Sequence, residues 1–264
     1  IVVLNIAVAL GLYYLWDGRV ELPMMFNLHH PLNLEVIGAE AQHDNMQSAA
    51  YRVIWGFLRK CPASKVRFCI FDPKEGGGSV RMLSNFVNKM PDSYKRAVTQ
   101  MSRTEELLSC LKELEGQTLD FIRDRPDYDD LLDYNAHNPR RTEAITLLML
   151  YDFPLNADAR CLELLSSVMQ KGNRCGIYVV LCRNTAVEVA SSYDHIDEKL
   201  AELEKNCVQI ECKENGFALL PYHLSVRLIE KPDAGQLEKF AVEYHKAVEK
   251  LNVQSIHFEE ILPP

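Results

Sequence analysis

Polar residues follow four apolar runs of this sequence, each at a point where a β-strand is expected to end. The runs end at Ile37, Phe71, Tyr151 and Cys182. In α/β folds, ligands bind beyond the carboxyl ends of the parallel strands, so the loops after these four residues are where chemistry is expected. Lys74, in the second of these loops, could contact an anion there.

Metal binding is not expected from the remaining candidate ligands. The eight cysteines contain no CxxC pair, and no histidine lies at zinc-ligand spacing from them. We predict reduced thiols that act as small buried hydrophobic residues. His29 and His30 are expected to be loop residues. The acidic stretch 127–133 lacks the glycine and final glutamate of a calcium loop, so it is expected to be a solvated turn and helix start.

Composition favours one large acidic domain. The chain has 264 residues, of which 47% are hydrophobic, and a formal net charge of −8. This is enough apolar material for a substantial core. Nucleic-acid backbones are bound by patches of lysine and arginine. The acidic charge therefore argues against a surface that follows DNA by itself, and any DNA contact is expected to come from elsewhere.

The first 16 residues are almost wholly apolar, but a membrane-spanning helix needs about 20 residues. They carry no basic flank, and Asp17-Gly18 follows them between two β-prone runs, which is a strong hairpin signal. We therefore expect strands here rather than a signal or membrane segment. The chain starts without Met and ends at Pro263-Pro264, so we expect a piece excised from a longer, multi-domain polypeptide.

Strand and helix patterns alternate along the chain, which predicts an α/β fold with a mainly parallel sheet and helices on both faces. No repeat or flexible linker interrupts them, so we expect a single domain over residues 1–264. Its parts are N-terminal strands at 1–31, a core at 32–190, and C-terminal strands and a helix at 191–264. The predicted strands are 32–37, 65–71, 145–151 and 177–182, with edge strands at 208–212 and 217–220; the predicted helices are 46–60, 102–123, 157–170 and 236–251.

Several segments, taken in order, match the motifs of one known family. They are Leu-Glu-Val-Ile-Gly at residues 34–38, Asp-Pro-Lys at 72–74, Leu-Met-Leu-Tyr-Asp-Phe-Pro at 148–154 and Lys-Gly-Asn-Arg-Cys-Gly at 171–176. The first two resemble the nucleotide-binding core of FtsK/SpoIIIE-type P-loop ATPases. The third resembles the Walker B motif of that family, and the fourth resembles the stretch before its sensor strand. The likeness covers roughly residues 10–190.

This resemblance implies a RecA-like P-loop NTPase fold, in domains that assemble as hexameric rings or tandem arrays. Members of the family pump DNA or, as type VII secretion ATPases, help to export proteins. The closing stretch 257–264 is similar to the segment that joins one ATPase domain to the next. The implied partners are sister ATPase domains, and DNA or an exported protein through the parent machine. The implied location is cytoplasmic, including the cytosolic part of a membrane-anchored machine.

The loop that aligns with the phosphate-binding loop of the family (Walker A) lacks most of its functional residues. Such a loop needs glycines, a lysine for the β and γ phosphates, and a hydroxyl for Mg²⁺. Only Gly38 remains, since His43 replaces a glycine, Asp44 the lysine and Asn45 the hydroxyl residue. A carboxylate about 4 Å from a phosphate charge is repelled by roughly 4 kcal/mol at an effective dielectric of about 20. We expect Asp44 instead to cap the helix over residues 46–60, in a capping box.

The Walker B segment can be aligned in two registers, and each loses one carboxylate. If Phe153-Pro154 fixes the register, Tyr151 stands at the Mg²⁺-binding aspartate and Asp152 at the glutamate that polarises water. After a slip of one residue, Asp152 becomes the metal ligand and Phe153 replaces the glutamate. The sequence leaves both registers open.

The resemblance places four further residues at nucleotide-binding positions. They are Asp72 and Lys74 at the end of the second strand, Asn184 at the polar sensor position, and Arg174 near the arginine of the family. For this arginine, Asn173 is the alternative match.

Together these departures predict a catalytically degenerate pseudo-ATPase domain that serves assembly, regulation or substrate docking in a larger DNA-translocation or protein-secretion motor. No catalytic residue and no cofactor is expected in the isolated domain. One alternative is a domain that still binds Mg-ATP, or that offers Arg174 or Lys74 to the phosphate of a neighbour, and contributes to DNA translocation. Another is a cleft that holds the tail of an export substrate.

Overall fold

The computed structural model describes residues 7–15, 20–28, 33–74, 87–88, 90, 94, 97–187 and 196–259. In this part of the chain, ten strands form one sheet. The strands are β1 Ala7–Leu15, β2 Val20–Asn27, β3 Asn33–Gly38, β4 Val66–Phe71, β5 Val98–Met101, β6 Ile145–Phe153, β7 Ile177–Asn184, β8 Cys207–Lys213, β9 Gly216–Leu219 and β10 Leu224–Leu228.

Six strands form the parallel part of the sheet. Their order is β8-β3-β7-β6-β4-β5, and each neighbouring pair is parallel. Every residue of β6 is buried, and in β7 only Arg183 is half-buried. Strands that are covered on both faces need such continuous apolar runs. The predicted α/β fold with a mainly parallel sheet is confirmed.

The other four strands extend the sheet in antiparallel fashion, in the order β2-β1-β10-β9, and β9 pairs with β8. The predicted turn at Asp17-Gly18 lies outside the described residues, but its flanking strands pair as the expected hairpin. The prediction of edge strands at 208–212 and 217–220 is wrong. Because β10 and the N-terminal hairpin continue the sheet beyond them, β8 and β9 lie in its interior.

Helices cover both faces of the sheet. Those in the described residues are α1 His43–Lys60, α2 Thr104–Asp124, α3 Leu131–His137, α4 Ala159–Lys171, α5 Ile196–Lys205 and α6 Ala234–Glu259. One apolar cluster contains Phe57 of α1 and Tyr244 of α6, and a second cluster on the opposite face contains Leu111 of α2 and Leu165 of α4. None of the described helices is both long and apolar enough to cross a membrane.

Most element bounds lie close to those expected from the sequence. However, α1 begins at His43, earlier than the predicted helix at 46–60, and α5, β5 and β10 were not predicted. Helix α3 begins at Leu131, within the stretch 127–133 that was expected to hold a turn and helix start. In β5, Thr99 and Gln100 are exposed, so this short strand has no apolar run that could be detected. It forms because β4 offers it a parallel partner, which is a tertiary contact and not a local preference.

Gly176, which ends the turn of 3₁₀ helix Gly172–Cys175, has φ 75° in the left-handed region. A Cβ there would lie 2.4 Å from Leu131 Cδ2. We expect Gly176→Ala to lower the free energy of unfolding by about 2–4 kcal/mol, from backbone strain and overpacking. The matched control is Gly116→Ala in α2, where the new Cβ would meet no atom within 4 Å apart from its chain neighbours and the nearby backbone of its own helix.

The control should raise stability by about 0.5–1 kcal/mol, because alanine favours a helix interior over glycine. Urea unfolding of both variants measures the difference. Equal effects at the two positions would show that the left-handed turn at Gly176 does not form.

Candidate functional site

The carboxyl ends of β3, β7, β6 and β4 meet at one edge of the sheet, because these strands are neighbours and parallel. The four predicted loops therefore converge. Five side chains from these strand ends and loops contact one another and are called here the Lys74 cluster: Glu40, His43, Lys74, Asp152 and Asn184.

Asp152 is the most enclosed carboxylate of the Lys74 cluster, with only 3% of its surface exposed. It lies where β6 departs from regular pairing with β7, and its φ of 49° is left-handed. Its Oδ1 accepts from Lys74 Nζ at 3.1 Å and from Asn184 Nδ2 at 3.1 Å. Its Oδ2 lies 3.4 Å from His43 Nε2. The buried carboxylate therefore has a partner on each oxygen, as burial of a charge requires.

Glu40 supplies a second carboxylate from the loop after β3. Lys74 Nζ lies 3.1 Å from its Oε1 and 3.0 Å from its Oε2, and Asn184 Nδ2 donates to the same Oε2 at 2.5 Å. These contacts, that of Asn184 first, lower the pKa of Glu40. Burial acts to lower the pKa of Lys74, but its hydrogen bonds with Glu40 and Asp152 prevail and raise it. Both groups are thus held in their charged forms.

Asn184, at the end of β7, connects the two carboxylates of the Lys74 cluster through its side-chain amide. Its side chain is fully buried, and its Oδ1 accepts from the backbone N–H of Ala186 at 3.0 Å. This contact identifies the oxygen of the amide, so that Nδ2 must point towards Glu40 and Asp152. Asn184, predicted at the sensor position, therefore serves as a donor to two carboxylates.

The connection from β3 to α1 differs from the capping box predicted at Asp44. A turn of 3₁₀ helix, Glu40–Gln42, leads directly into α1, so Asp44 is the second residue of the helix and not its cap. The side chain of Gln42 accepts from the backbone N–H of Ala39 at 3.1 Å. The prediction failed because this turn starts the helix earlier than the apolar spacing indicated. The exposed Asp44 carboxylate still lies in the first turn, beside the positive end of the helix dipole.

Tyr151 and Asp152 are adjacent in sequence but have different surroundings. Tyr151 is buried in the apolar cluster that includes α1, and its hydroxyl has no hydrogen-bond partner among the described residues. Burial raises its pKa, with smaller contributions from Cys182, Tyr51 and Asp72. The structure thus places Asp152, and not Tyr151, in the Lys74 cluster. This arrangement fits the register in which Phe153 follows as the non-acidic residue.

The other predicted site residues lie around the cluster or away from it. Gly38 ends β3, and its carbonyl accepts from Thr185 N at 2.9 Å. Asp72 is buried directly after β4. Asn45 donates to the carbonyl of Lys213 at 3.0 Å, so it ties α1 to β8.

Arg174 is separate from the Lys74 cluster. It precedes β7, at the amino end of the sheet, and its Nε donates to the carbonyl of Asp129 at 3.2 Å. Arg174 could therefore reach a nucleotide only on a neighbouring domain, and not one at the Lys74 cluster of its own chain.

The charged and polar groups of the Lys74 cluster already pair with one another, and one lysine faces two carboxylates. One ammonium already contacts two carboxylates, and the amide of Asn184 donates to both of them. A phosphate at this edge would have to displace Glu40 and would then face the buried Asp152. The arrangement is suited to holding its own side chains together rather than to receiving a polyanion.

Two adjacent grooves of the described chain lie away from this cluster, beside α2 and the first residues of β4. Their volumes are about 610 and 440 Å³. They share Ser64, Arg67, Gln117 and Thr146, but include no residue of the Lys74 cluster.

Comparison of the sequence with known proteins assigns neither a family nor an activity. No family model matches the chain. A segment of 51 residues, 19% of the chain, is 53% identical to an uncharacterized transporter of Bacteroides thetaiotaomicron, of which it covers 9%. This match is too short to assign a fold or an activity.

Solved structures share the fold over most of the chain. EssC (ATPases 2 and 3) from Geobacillus thermodenitrificans superposes with a TM-score of 0.60 and 13% identity, over 99% of this chain and 51% of EssC. The Thermomonospora curvata EccC (ATPases 2 and 3), in complex with a signal sequence peptide, gives 0.62 and 14%, over 93% and 47%. The pCW3 conjugation coupling protein TcpA with ATPγS gives 0.53 and 12%, over 78% and 54%.

These comparisons confirm the P-loop ATPase fold that the resemblance implied. EccC is a type VII secretion ATPase, so structures with this fold include domains of secretion and conjugation proteins. The present chain spans about half the length of each of the three structures. At identities of 12–14%, the likeness establishes the fold alone.

Sequence reasoning missed Glu40, although the residue was visible in the loop between Gly38 and His43. An acidic residue in a loop that should attract phosphate was the available signal. Lys74, which the sequence placed where it could contact an anion, pairs in the structure with Glu40 and Asp152. The sequence does not show that β4 ends within reach of the loop after β3.

Removal of the Lys74 ammonium tests how far the buried Asp152 depends on it. We expect Lys74→Met to lower the free energy of unfolding by about 1–2 kcal/mol, since a buried carboxylate loses a charged donor. The matched control is Lys199→Met, because Lys199 is 32% exposed against 31% for Lys74 and lies 3.0 Å from Glu163.

The control removes a surface ion pair and should leave stability nearly unchanged. Urea unfolding at pH 7 measures both variants. If Lys74→Met unfolds like the wild type, the Lys74 cluster is only a surface contact and Asp152 is stabilised by other groups.

Proposed function

We propose that this chain is a catalytically degenerate domain of the FtsK/SpoIIIE type, a pseudo-ATPase that serves assembly, regulation or substrate docking in a larger DNA-translocation or protein-secretion motor. One observation carries the proposal. The carboxylate of Glu40 pairs with Lys74 and accepts from the amide of Asn184, at the edge of the sheet where this fold would bind a nucleotide phosphate. The chain itself thus supplies the anion for this edge.

The start of α1 is also unsuited to a phosphate. Helix N-termini bind phosphate through free backbone N–H groups and the helix dipole. Here Asp44 places a carboxylate in the first turn, and Glu40 precedes the helix by one short turn. Two negative side chains therefore compete with any phosphate for the same positive field.

Hydrolysis has less support than binding. It would need one carboxylate in the Mg²⁺ shell and a second to polarise the attacking water. Asp152 is already paired with Lys74, and the next residue is Phe153. The alternative register offers Tyr151, which has no carboxylate and is buried in the apolar cluster that includes α1. Neither register provides both carboxylates.

The proposed partners are sister ATPase domains of the same or neighbouring chains. The chain matches about half of the EssC and EccC structures, each of which holds two ATPase domains, so it has the size of one member of a tandem. Its net charge of −8 favours contact with protein over direct contact with DNA. DNA or an exported protein would then meet other parts of the motor. The proposed location is cytoplasmic, as the cytosolic part of a membrane-anchored machine.

A second candidate is a domain that still binds Mg-ATP and contributes to DNA translocation. The observation in its favour is Lys74, an ammonium at the carboxyl edge of the sheet that a phosphate could recruit from Glu40. TcpA, solved with ATPγS, shares the fold at a TM-score of 0.53. In this case, nucleotide binding would have to break the Glu40–Lys74 pair.

Thermal unfolding with and without millimolar Mg-ATP separates the two candidates. A ligand at 100 times its dissociation constant adds about 2.7 kcal/mol of stability, which corresponds to roughly 5–10 °C in Tm for a domain of this size. We expect no rise in the Tm of the wild-type chain. A rise that depends on Mg²⁺ would exclude the pseudo-ATPase proposal and call for hydrolysis assays.

A gain-of-binding variant tests whether thermal unfolding can detect nucleotide binding by this domain. His43→Gly, Asp44→Lys and Asn45→Thr restore the loop, and Glu40→Ala removes the competing carboxylate. This variant should gain a shift that depends on Mg-ATP. Glu40→Ala alone should not, because Asp44 still opposes the phosphate; a shift from this single change would mean that Glu40 is the only obstacle.

A further inference from the structure

The two adjacent grooves beside α2 have no part in the proposed function. The larger one, of about 610 Å³, is lined by residues of α2, β4 and β5. The smaller one, of about 440 Å³, is lined by the last two turns of α2 and by the residues that lead into β4 and β6. Volumes of this size are typical of sites for small organic ligands.

Arg67 differs from the other charged residues of the two grooves because it has no partner. Lys65 donates to the carbonyl of Thr142 at 2.7 Å, and Glu113 accepts from Gln117 at 3.0 Å. The other charged lining residues form ion pairs: Glu106 with Arg103, Asp120 and Asp124 with Arg123, and Glu143 with Arg125. The exposed guanidinium of Arg67 lines both grooves but makes no hydrogen bond or ion pair with the described residues.

Lys65 and Arg67 bring two positive charges to the smaller groove. Burial lowers the pKa of Lys65, and repulsion from Arg67 lowers it further, while Glu143 acts in the opposite direction. Glu143 is already paired with Arg125. An additional anion beside Lys65 and Arg67 would relieve their repulsion, so this part of the groove favours a negative charge.

The rest of the lining suits a ligand that carries hydroxyl groups. Hydroxyl and amide side chains, which can both donate and accept hydrogen bonds, occur in both grooves. They are Ser64, Thr99, Gln100, Ser109, Gln117 and Thr146. The paired carboxylates of the lining would repel a second negative group, so a ligand with a single anionic group fits best.

We propose that the two grooves together bind a small hydroxylated oxyanion, whose carboxylate or phosphate group contacts Arg67 and Lys65. The proposal does not depend on the pseudo-ATPase function, because neither groove includes a residue of the Lys74 cluster. A guanidinium group binds either oxyanion through two parallel hydrogen bonds, and an ammonium group adds a point charge. The polar lining then contacts the hydroxyl groups of the ligand.

The test is isothermal titration calorimetry of the whole chain with four probes at constant ionic strength. Gluconate and glucose 6-phosphate are both hydroxylated acids, but one carries a carboxylate and the other a phosphate. Glucose has no charge, and citrate carries three carboxylates. We expect saturable binding of gluconate or glucose 6-phosphate, and the better of the two identifies the preferred oxyanion. Glucose and citrate should bind more weakly than either.

Two variants locate the binding. Arg67→Gln should weaken the binding of the preferred probe about tenfold, because a charged pair of hydrogen bonds is lost. The matched control is Arg140→Gln, since Arg140 is also exposed and unpaired among the described residues but lies outside both grooves. It changes the net charge equally and should leave binding unchanged. Circular dichroism verifies that both variants are folded.

Cysteine labelling provides a second measure of the location. Cys69 and Cys110 line the larger groove and are half-buried, although the sequence predicted buried cysteines. The bound probe should slow their modification by N-ethylmaleimide, as followed by peptide mass spectrometry. Cys207 is also half-buried but lies outside both grooves, so its modification should not change.

The proposal is overturned if neither gluconate nor glucose 6-phosphate binds. It is also overturned if citrate binds best or if Arg140→Gln weakens binding as much as Arg67→Gln, because either result would indicate attraction to surface charge in general. Binding that survives Arg67→Gln unchanged would place the ligand elsewhere on the chain.

Discussion

The parallel order β3-β7-β6-β4 is the constraint on which the candidate site depends. Neighbouring strands lie only about 4.8 Å apart, so the loops that leave these four strands are within reach of long side chains. Lys74, which follows β4, can therefore contact Asp152 at the end of β6 and Glu40 after β3. A different strand order would separate the same charges and leave Asp152 buried without a cation.

The same pairing that stabilises this edge also occupies its hydrogen-bond donors. A buried carboxylate is tolerated when it is paired, and Lys74, Asn184 and His43 pair with Asp152. Those donors would otherwise be available to an incoming anion. Under the proposed function, the residues that stabilise the sheet edge are also the ones that exclude a phosphate from it.

The two faces of the sheet pack against different helices and form separate apolar cores. On one face, α1 and α6 pack on a core that includes Tyr151, and on the other α2 and α4 cover β4 and β7. Tyr151 packs in the first core, whereas Asp152, at the irregular end of β6, contacts Lys74, Asn184 and His43.

The sequence by itself determined the α/β class, the parallel core and most helices, because apolar runs and helical spacing are local patterns that burial requires. It also identified the loops after Ile37, Phe71, Tyr151 and Cys182, since strand ends can be recognised along the chain. It did not determine that β8 and β9 are interior, that α1 starts at His43, or that Glu40 pairs with Lys74. Those features depend on which strands become neighbours and on which side chains meet across them. Only the tertiary structure sets these contacts, because each joins residues that are distant in sequence.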